Sequence, residues 1–319
     1  MSDEELQYEV LTELLRDDLY SFVWKAFETL HPGEPFIPAK HVEAICWHLQ
    51  QVAEGRVRRL LITVPPRHLK SICTSVGFAA WMLGRNPALK ILVASYGQDL
   101  AARHARDFRT VVEAPWCQQV FPCLRPHPKR NTESELMTTD RGLRKAVSLG
   151  GAVTGHGADI LIIDDMMKAD DARSETERQR VHEFYEQTLF SRLNDKQNGA
   201  IIAIQQRLHE DDLAGYLLAK GNFTHLELKA IAEEDEEHAL DGRRTYRRRK
   251  GEALFPEREP LATLEAIRKE IGSAVFSAQY QQNPVPPDGN RLAGSGSGPM
   301  TSARHAPSSR RLLKVGTLP

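Results

Sequence analysis

The chain has almost no cysteine: four residues in 319, Cys46, Cys73, Cys117 and Cys123, with neither C-x-x-C spacing nor the density of a disulfide framework. Reduced thiols are therefore expected. It also lacks any apolar run of roughly eighteen residues, the length needed to span a bilayer. Its N-terminus, Met1-Ser2-Asp3-Glu4-Glu5, is acidic where a secretion signal would be basic. No membrane segment and a cytoplasmic location are expected. Net charge is nearly absent too, at −1, so overall charge argues neither for nor against a nucleic-acid partner. What remains, 41% hydrophobic and 27% charged residues, is the composition of an ordinary globular protein. The length allows about two domains, or one large α/β domain with additions.

One stretch organises the rest. The β-branched run Leu60-Leu61-Ile62-Thr63-Val64 predicts a buried strand. Pro65, Pro66, Arg67 and His68 break it, and Lys70-Ser71 opens a segment with Ile72, Val76, Ala79, Ala80 and Leu83 at helical spacing. Strand, tight loop, Lys-Ser and helix form the P-loop arrangement. Its loop N–H groups and helix N-terminus attract phosphate, its lysine reaches the β/γ-phosphates, and its serine helps hold Mg²⁺. The usual glycines are missing: Val64 and Leu69 occupy their positions.

Upstream, Leu6, Val10, Leu14, Phe22, Ala26, Phe27 and Leu30 recur at three- and four-residue steps, which predicts one amphipathic helix or two, packed on a partner surface. A further helix is expected from about Ala39 to Ala53, and Phe36 and His41 are candidates for contact with a base, against the alternative of plain packing. Downstream, residues 90–96 read as a second strand and Asp99–Val112 as a basic helix with Arg103, Arg106 and Arg109. Residues 132–147 alternate as hairpin strands do, and glycines 150, 151, 155 and 157 make a turn-rich loop around Val153-Thr154. Ile160–Ile163 is a continuous apolar run, as expected of a parallel strand covered on both faces, and it ends in Asp164-Asp165. Acids at the carboxyl end of such a strand stand where a Walker B pair belongs: the first serves Mg²⁺, the second orients or deprotonates the attacking water. A charged helix is expected over Asp170–Asn194. Another strand follows, Gly199–Ile204, ending in Gln205, Gln206 and Arg207, which could sense the terminal phosphate. His209–Leu213 would cap the next helix.

These residues resemble the large terminase subunit of tailed bacteriophages and prophages, a DNA-packaging ATPase. The resemblance rests on Val64–Ser71, Gly155–Asp165, Gln206–Leu213, Gly251–Arg258 and Phe276–Pro284, and covers roughly residues 15–290. It implies an α/β P-loop NTPase fold of the ASCE type, with a mostly parallel sheet flanked by helices. It also implies ATP and Mg²⁺ as ligands, double-stranded DNA as the cargo, and a small terminase subunit, a portal or procapsid and a homo-oligomeric ring as partners in a bacterial host cell. Residue by residue, it makes Pro66, Arg67, His68, Leu69, Lys70 and Ser71 the nucleotide loop, Ser71 and Asp164 the metal residues, and Asp165 the catalytic carboxylate where many relatives carry Glu. It puts Gln205, Gln206 and Arg207 in a coupling motif and gives Arg67 a role on γ-phosphate charge.

The expected organisation is a helical segment (1–55), an ATPase core (56–230), a linker or subdomain (231–290) and an atypical disordered tail (291–319). The tail, free of acids and rich in Gly, Ser, Pro and Arg, reads as a replaced end, so the nuclease domain of full-length relatives is expected to be missing and no DNA cutting is expected. The acids of Glu233–Glu237 and the basic run Arg243–Lys250 read as a solvated loop or a DNA contact. Two other readings stand beside the packaging motor: a helicase-like P-loop ATPase and a truncated remnant that only binds nucleotide.

Overall fold

A computed structural model describes residues 3–285 apart from Ala152 and Thr154. The expected tail at 291–319, and Thr154 of the glycine-rich loop, lie outside the described residues. An eight-stranded sheet forms the centre. Its strands are β1 (Arg59–Thr63), β2 (Lys90–Ser95), β3 (Pro126–Asn131), β4 (Glu135–Thr138), β5 (Leu143–Ser148), β6 (Ile160–Asp164), β7 (Ala200–Gln205) and β8 (Thr224–Glu227), and its order is β3-β4-β5-β2-β6-β7-β1-β8. From β5 to β8 every neighbouring pair is parallel; only the β3-β4-β5 edge is antiparallel. The hairpin expected at 132–147 is therefore β4-β5, and β5 continues the parallel sheet through β2.

Continuous apolar runs become strands here because the sheet is covered on both sides. Leu60, Ile62, Ile160, Ile162, Ile202 and Ile204 pack into one core, while Leu61, Leu161, Ile163, Ile201 and Ala203 pack into the other. Alternate side chains leave a strand on opposite faces, so both parities must be apolar. The first core is closed by α2 (Leu19–Leu30), α3 (Lys40–Ala53), α4 and α5 (Gln98–Glu113), with the short α6 (Pro115–Val120) beside them; α4 runs as a π-helix over Ile72–Phe78 and as an α-helix over Ala79–Arg85. The second is closed by α7 (Glu175–Glu183), which continues in π geometry over Phe184–Leu189, and by α8 (Leu213–Ala219). Beyond the sheet lie a hairpin, β9 (Glu236–Ala239) with β10 (Thr245–Arg248), then α9 (Leu261–Ile271) and α10 (Ser273–Gln279).

Of the one or two helices expected at the N-terminus the fold has two, α1 (Asp3–Asp17) and α2, because Asp18 accepts the Ser21 N–H at 2.7 Å and caps a new start. Three other expectations change. The α1 face is open rather than packed: Leu6, Val10 and Leu14 are exposed, whereas Phe22 and Ala26 of α2 are buried. Residues 170–194 are not one helix. Ser174 caps α7 through the Glu177 N–H, and a short 3₁₀ turn, Asp171–Arg173, precedes it. The basic run is strand β10 rather than a loop. Arg244 pairs with Glu43 and Asp241, Arg247 with Glu237, and buried Arg248 with Glu236. Half of that run is thus already neutralised within the fold. Among the described residues no helix is long and apolar enough to cross a membrane.

Candidate functional site: a phosphate loop facing paired acids

β1 and β6 flank β7 on either side, and the segments that follow the carboxyl ends of these parallel strands line one cleft of about 820 Å³. Pro66, Arg67, His68, Leu69, Lys70 and Ser71 line it, as do Asp165 and Gln206. The loop takes left-handed turns without glycine. Leu69 adopts φ +59° and Arg67 φ +65°, left-handed values that ordinarily favour glycine. Alternating left- and right-handed residues turn successive N–H groups to one side, which makes a nest for an anion. Among the described residues, the N–H groups of residues 67–71 donate to no acceptor outside their own helix. The strained backbone is held from behind: Arg258 donates to the Arg67 carbonyl, and His68 turns its ring into the core against His41 and Phe255.

Lys70 is 7% exposed and reaches across the cleft, with its Nζ 2.9 Å from Asp165 Oδ2 and donating to Gln206 Oε1 at 3.1 Å. Asp165 is itself left-handed, at φ +46°. Burial pushes its carboxyl above the usual range, and the Lys70 ammonium opposes that shift. Asp164, the last residue of β6, is fully buried. Its Oδ1 accepts from Ser71 Oγ at 3.2 Å and its Oδ2 from Ser75 Oγ at 2.6 Å. Ser71 Oγ and Asp164 Oδ1 are hard oxygen donors side by side next to the phosphate nest. They fit Mg²⁺, which takes one or two protein oxygens and completes its shell with phosphate and water. The Arg67 side chain is exposed at the rim.

Several residues of this site carried no sequence signal. Ser75 and His104 both approach Asp164, and Arg144, on β5, is buried beneath them over the Phe108 ring. Burial pushes Arg144 down to about 9, opposed by Asp164 and Asp107, and this leaves it charged at neutral pH. Two motifs noted in the sequence also acquire a place. Gln282 accepts the Arg207 N–H at 3.1 Å, and Gln281 exchanges two hydrogen bonds of 2.9 Å with the Ile231 backbone. Arg207 is fixed in turn by Asp212 at 3.0 Å, the same buried acid that caps α8 through the Gly215 N–H. Phe36 lines the cleft but packs among Tyr20, Trp24 and Phe27; His41 is wholly buried.

His41 and His68 give the loop a dependence on acid. Burial lowers His68 to about 4 and holds His41 well below the usual histidine value. Below pH ~6.5 the unfolded chain binds protons that the folded chain refuses, so their contribution is whole above that value and is lost as pH falls towards ~4. A decline of up to about 1.4 kcal/mol per pH unit for each histidine is expected on this interval. Thermal unfolding across pH 7 to 4.5 measures it. His41→Phe, which keeps the aromatic packing and removes one titrating ring, should flatten the curve; an unaltered slope would put the acid sensitivity elsewhere.

The sheet order and the loop define an α/β fold of the P-loop type. No protein-family model and no curated protein matches the sequence. Among solved structures, the large terminase ATPase domain of Thermus phage P74-26 is similar at a TM-score of 0.50 and 14% identity, over 74% of this chain and 93% of that one. The HK97 bacteriophage large terminase aligns at 0.47 and 14% over 67% of this chain, which spans 44% of that protein's length. The N-terminal domain of the DNA packaging ATPase from bacteriophage phi29 aligns at 0.33 and 13%, over 54% of this chain and 83% of that one. The first of these likenesses gives the fold, that of a terminase ATPase domain.

Proposed function

We propose that this chain is an ATP-hydrolysing module of a DNA-packaging motor of the large-terminase kind, coupling Mg²⁺-dependent hydrolysis to movement of double-stranded DNA into a procapsid. The observation that carries the reading is the meeting of Lys70, Ser71, Asp164, Asp165 and Gln206 beside the left-handed turn at Arg67 and Leu69. Because the chain spans less than half of the HK97 protein, the ring, the small subunit, the portal and the bacterial cytoplasm all belong to the proposal.

Phosphates entering the nest offer Lys70 a stronger partner than Asp165. The ammonium moves to the β/γ-phosphates, and Asp165 loses its cation. Ser71 and Asp164 would hold Mg²⁺, which neutralises phosphate charge when bound. Asp165 then orients a water and takes its proton as the water oxygen bonds to the terminal phosphorus and the bond to the ADP oxygen breaks. Arg67, at the rim, is placed in the proposal against the charge on the transferred group. Gln206 loses Lys70 as a donor on nucleotide entry, and its neighbour Arg207 is tied to Asp212 and Gln282, so a change at the phosphate has a hydrogen-bonded route to the C-terminal segment.

The test is phosphate release by the purified chain with Mg²⁺, with and without double-stranded DNA. Metal-dependent turnover that DNA accelerates is expected. No turnover under either condition, or turnover accompanied by unwinding of a forked duplex, would overturn the packaging reading.

A further inference from the structure

Asp164 has two oxygens and they are treated differently. Oδ1 accepts from Ser71, which lines the cleft, while Asp164 itself is fully buried behind it. Oδ2 accepts from the buried Ser75 hydroxyl at 2.6 Å, and His104 Nδ1 lies 3.6 Å from it. Ser75 is fully buried on α4, one turn beyond Ser71, so the two serines face the same carboxylate from one side of the helix. His104 comes from α5, is 4% exposed, and its Nδ1 has no hydrogen-bond partner among the described residues. Arg144 closes the cluster from below, with its Nη2 donating to the Ser75 carbonyl at 3.5 Å. The charged groups near Asp164 are Asp165 with its partner Lys70, Arg144 with its neighbour Asp107 and, when protonated, His104; His104 and Asp107 also line the cleft.

A carboxylate free to rotate would present either oxygen, or both, to a cation. One whose inner oxygen is already engaged presents only the outer one, in a fixed direction. Partners of this kind behind metal-binding carboxylates set affinity as well as orientation. Resting on the nucleotide-site reading above, we infer that Ser75 and His104 are positioning residues that clamp Asp164 Oδ2, so that Asp164 Oδ1 and Ser71 Oγ are aimed together at the divalent cation of the bound nucleotide. Neither residue touches the nucleotide in this role. His104 needs only a small movement for its Nδ1–H to donate to Oδ2.

The test separates metal binding from nucleotide binding. ADP affinity of the full chain is measured in EDTA, and Mn²⁺ affinity of the ADP complex is read by electron paramagnetic resonance. Ser75→Ala and His104→Leu should each weaken Mn²⁺ binding by about 10-fold or more, with ADP affinity in EDTA unchanged. His104→Asn sets an amide nitrogen near the position of Nδ1 and should recover most of the loss; it decides the matter alone should Ser75→Ala fail to fold. Unchanged Mn²⁺ affinity in both deletion variants, or a loss matched by ADP affinity in EDTA, would overturn the clamp. No ADP binding by the unaltered chain would instead defeat the nucleotide reading on which the clamp rests.

Discussion

Lys70→Ala is expected to abolish the rise in melting temperature that Mg-ATP gives the unaltered chain. Ligand at one hundred times its dissociation constant stabilises the native state by about 2.7 kcal/mol. At roughly 2–4 °C per kcal/mol for a domain of a couple of hundred residues, that is a shift of roughly 5–10 °C, easily read by scanning fluorimetry. The variant has a second effect that must be separated from the first. In the free protein Lys70 neutralises Asp165 at 2.9 Å, and burial already raises that carboxyl. Removing the lysine leaves a partly buried acid without its cation, so the baseline melting temperature should fall as well. The double variant Lys70→Ala with Asp165→Asn removes both charges and should recover part of the baseline but none of the ATP response. A full ATP shift in either variant would place the nucleotide away from this loop.

Asp165→Asn alone is expected to leave ATP binding intact and to lower turnover by roughly 10²–10⁴-fold, the range for losing a group that handles the reacting proton. The amide keeps the size of the side chain, and its oxygen can still accept from Lys70, so the resting contact at the cleft survives. It cannot take a proton from water. Equilibrium binding and single-turnover hydrolysis on the same preparation decide the point. Binding lost in step with hydrolysis would mean that Asp165 is needed to shape the left-handed turn after β6 rather than to carry out chemistry. The neighbouring Asp164 should behave differently. It accepts from two serines on the P-loop helix, and its role in the proposal is to hold the metal.

Much of the site was legible before any coordinates. Leu60–Val64, Ile160–Ile163 and Gly199–Ile204 read as strands because a doubly covered strand is apolar at both parities, a pattern that survives in one dimension. Lys70-Ser71 and Asp164-Asp165 could be set against each other because chemistry at the carboxyl ends of parallel strands follows from the fold type. Other features were not legible. Leu69 stands where the motif usually carries glycine, and nothing in the sequence says how it and Arg67 fit the loop. They take left-handed values, with the turn supported from outside by Arg258 and by the packing of His68. Such support comes from residues far along the chain, and no local propensity encodes it.

The same distinction separates the helices. Periodicity established that α1 and α2 each have an apolar face, since that is a property of spacing alone. It could not establish whether each face is covered. In the fold α2 lies against the core and Leu6, Val10 and Leu14 of α1 do not, because coverage depends on where the other elements pack. The basic run at Arg243–Lys250 shows this from the side of charge: its composition was plain, yet pairing with Glu43, Glu236, Glu237 and Asp241 is a consequence of the β9-β10 hairpin and its neighbours. Ser75 and His104 lie 89 and 60 residues from Asp164 in sequence, and a lone serine or histidine on a helix has no signature of its own. The sequence by itself determined which segments carry apolar faces and which side chains are of the types that meet phosphate, because both are properties of residue types and their spacing. Only the tertiary structure decided which partner each oxygen of Asp164 takes, because that depends on two helices meeting one strand end to within a hydrogen-bond length.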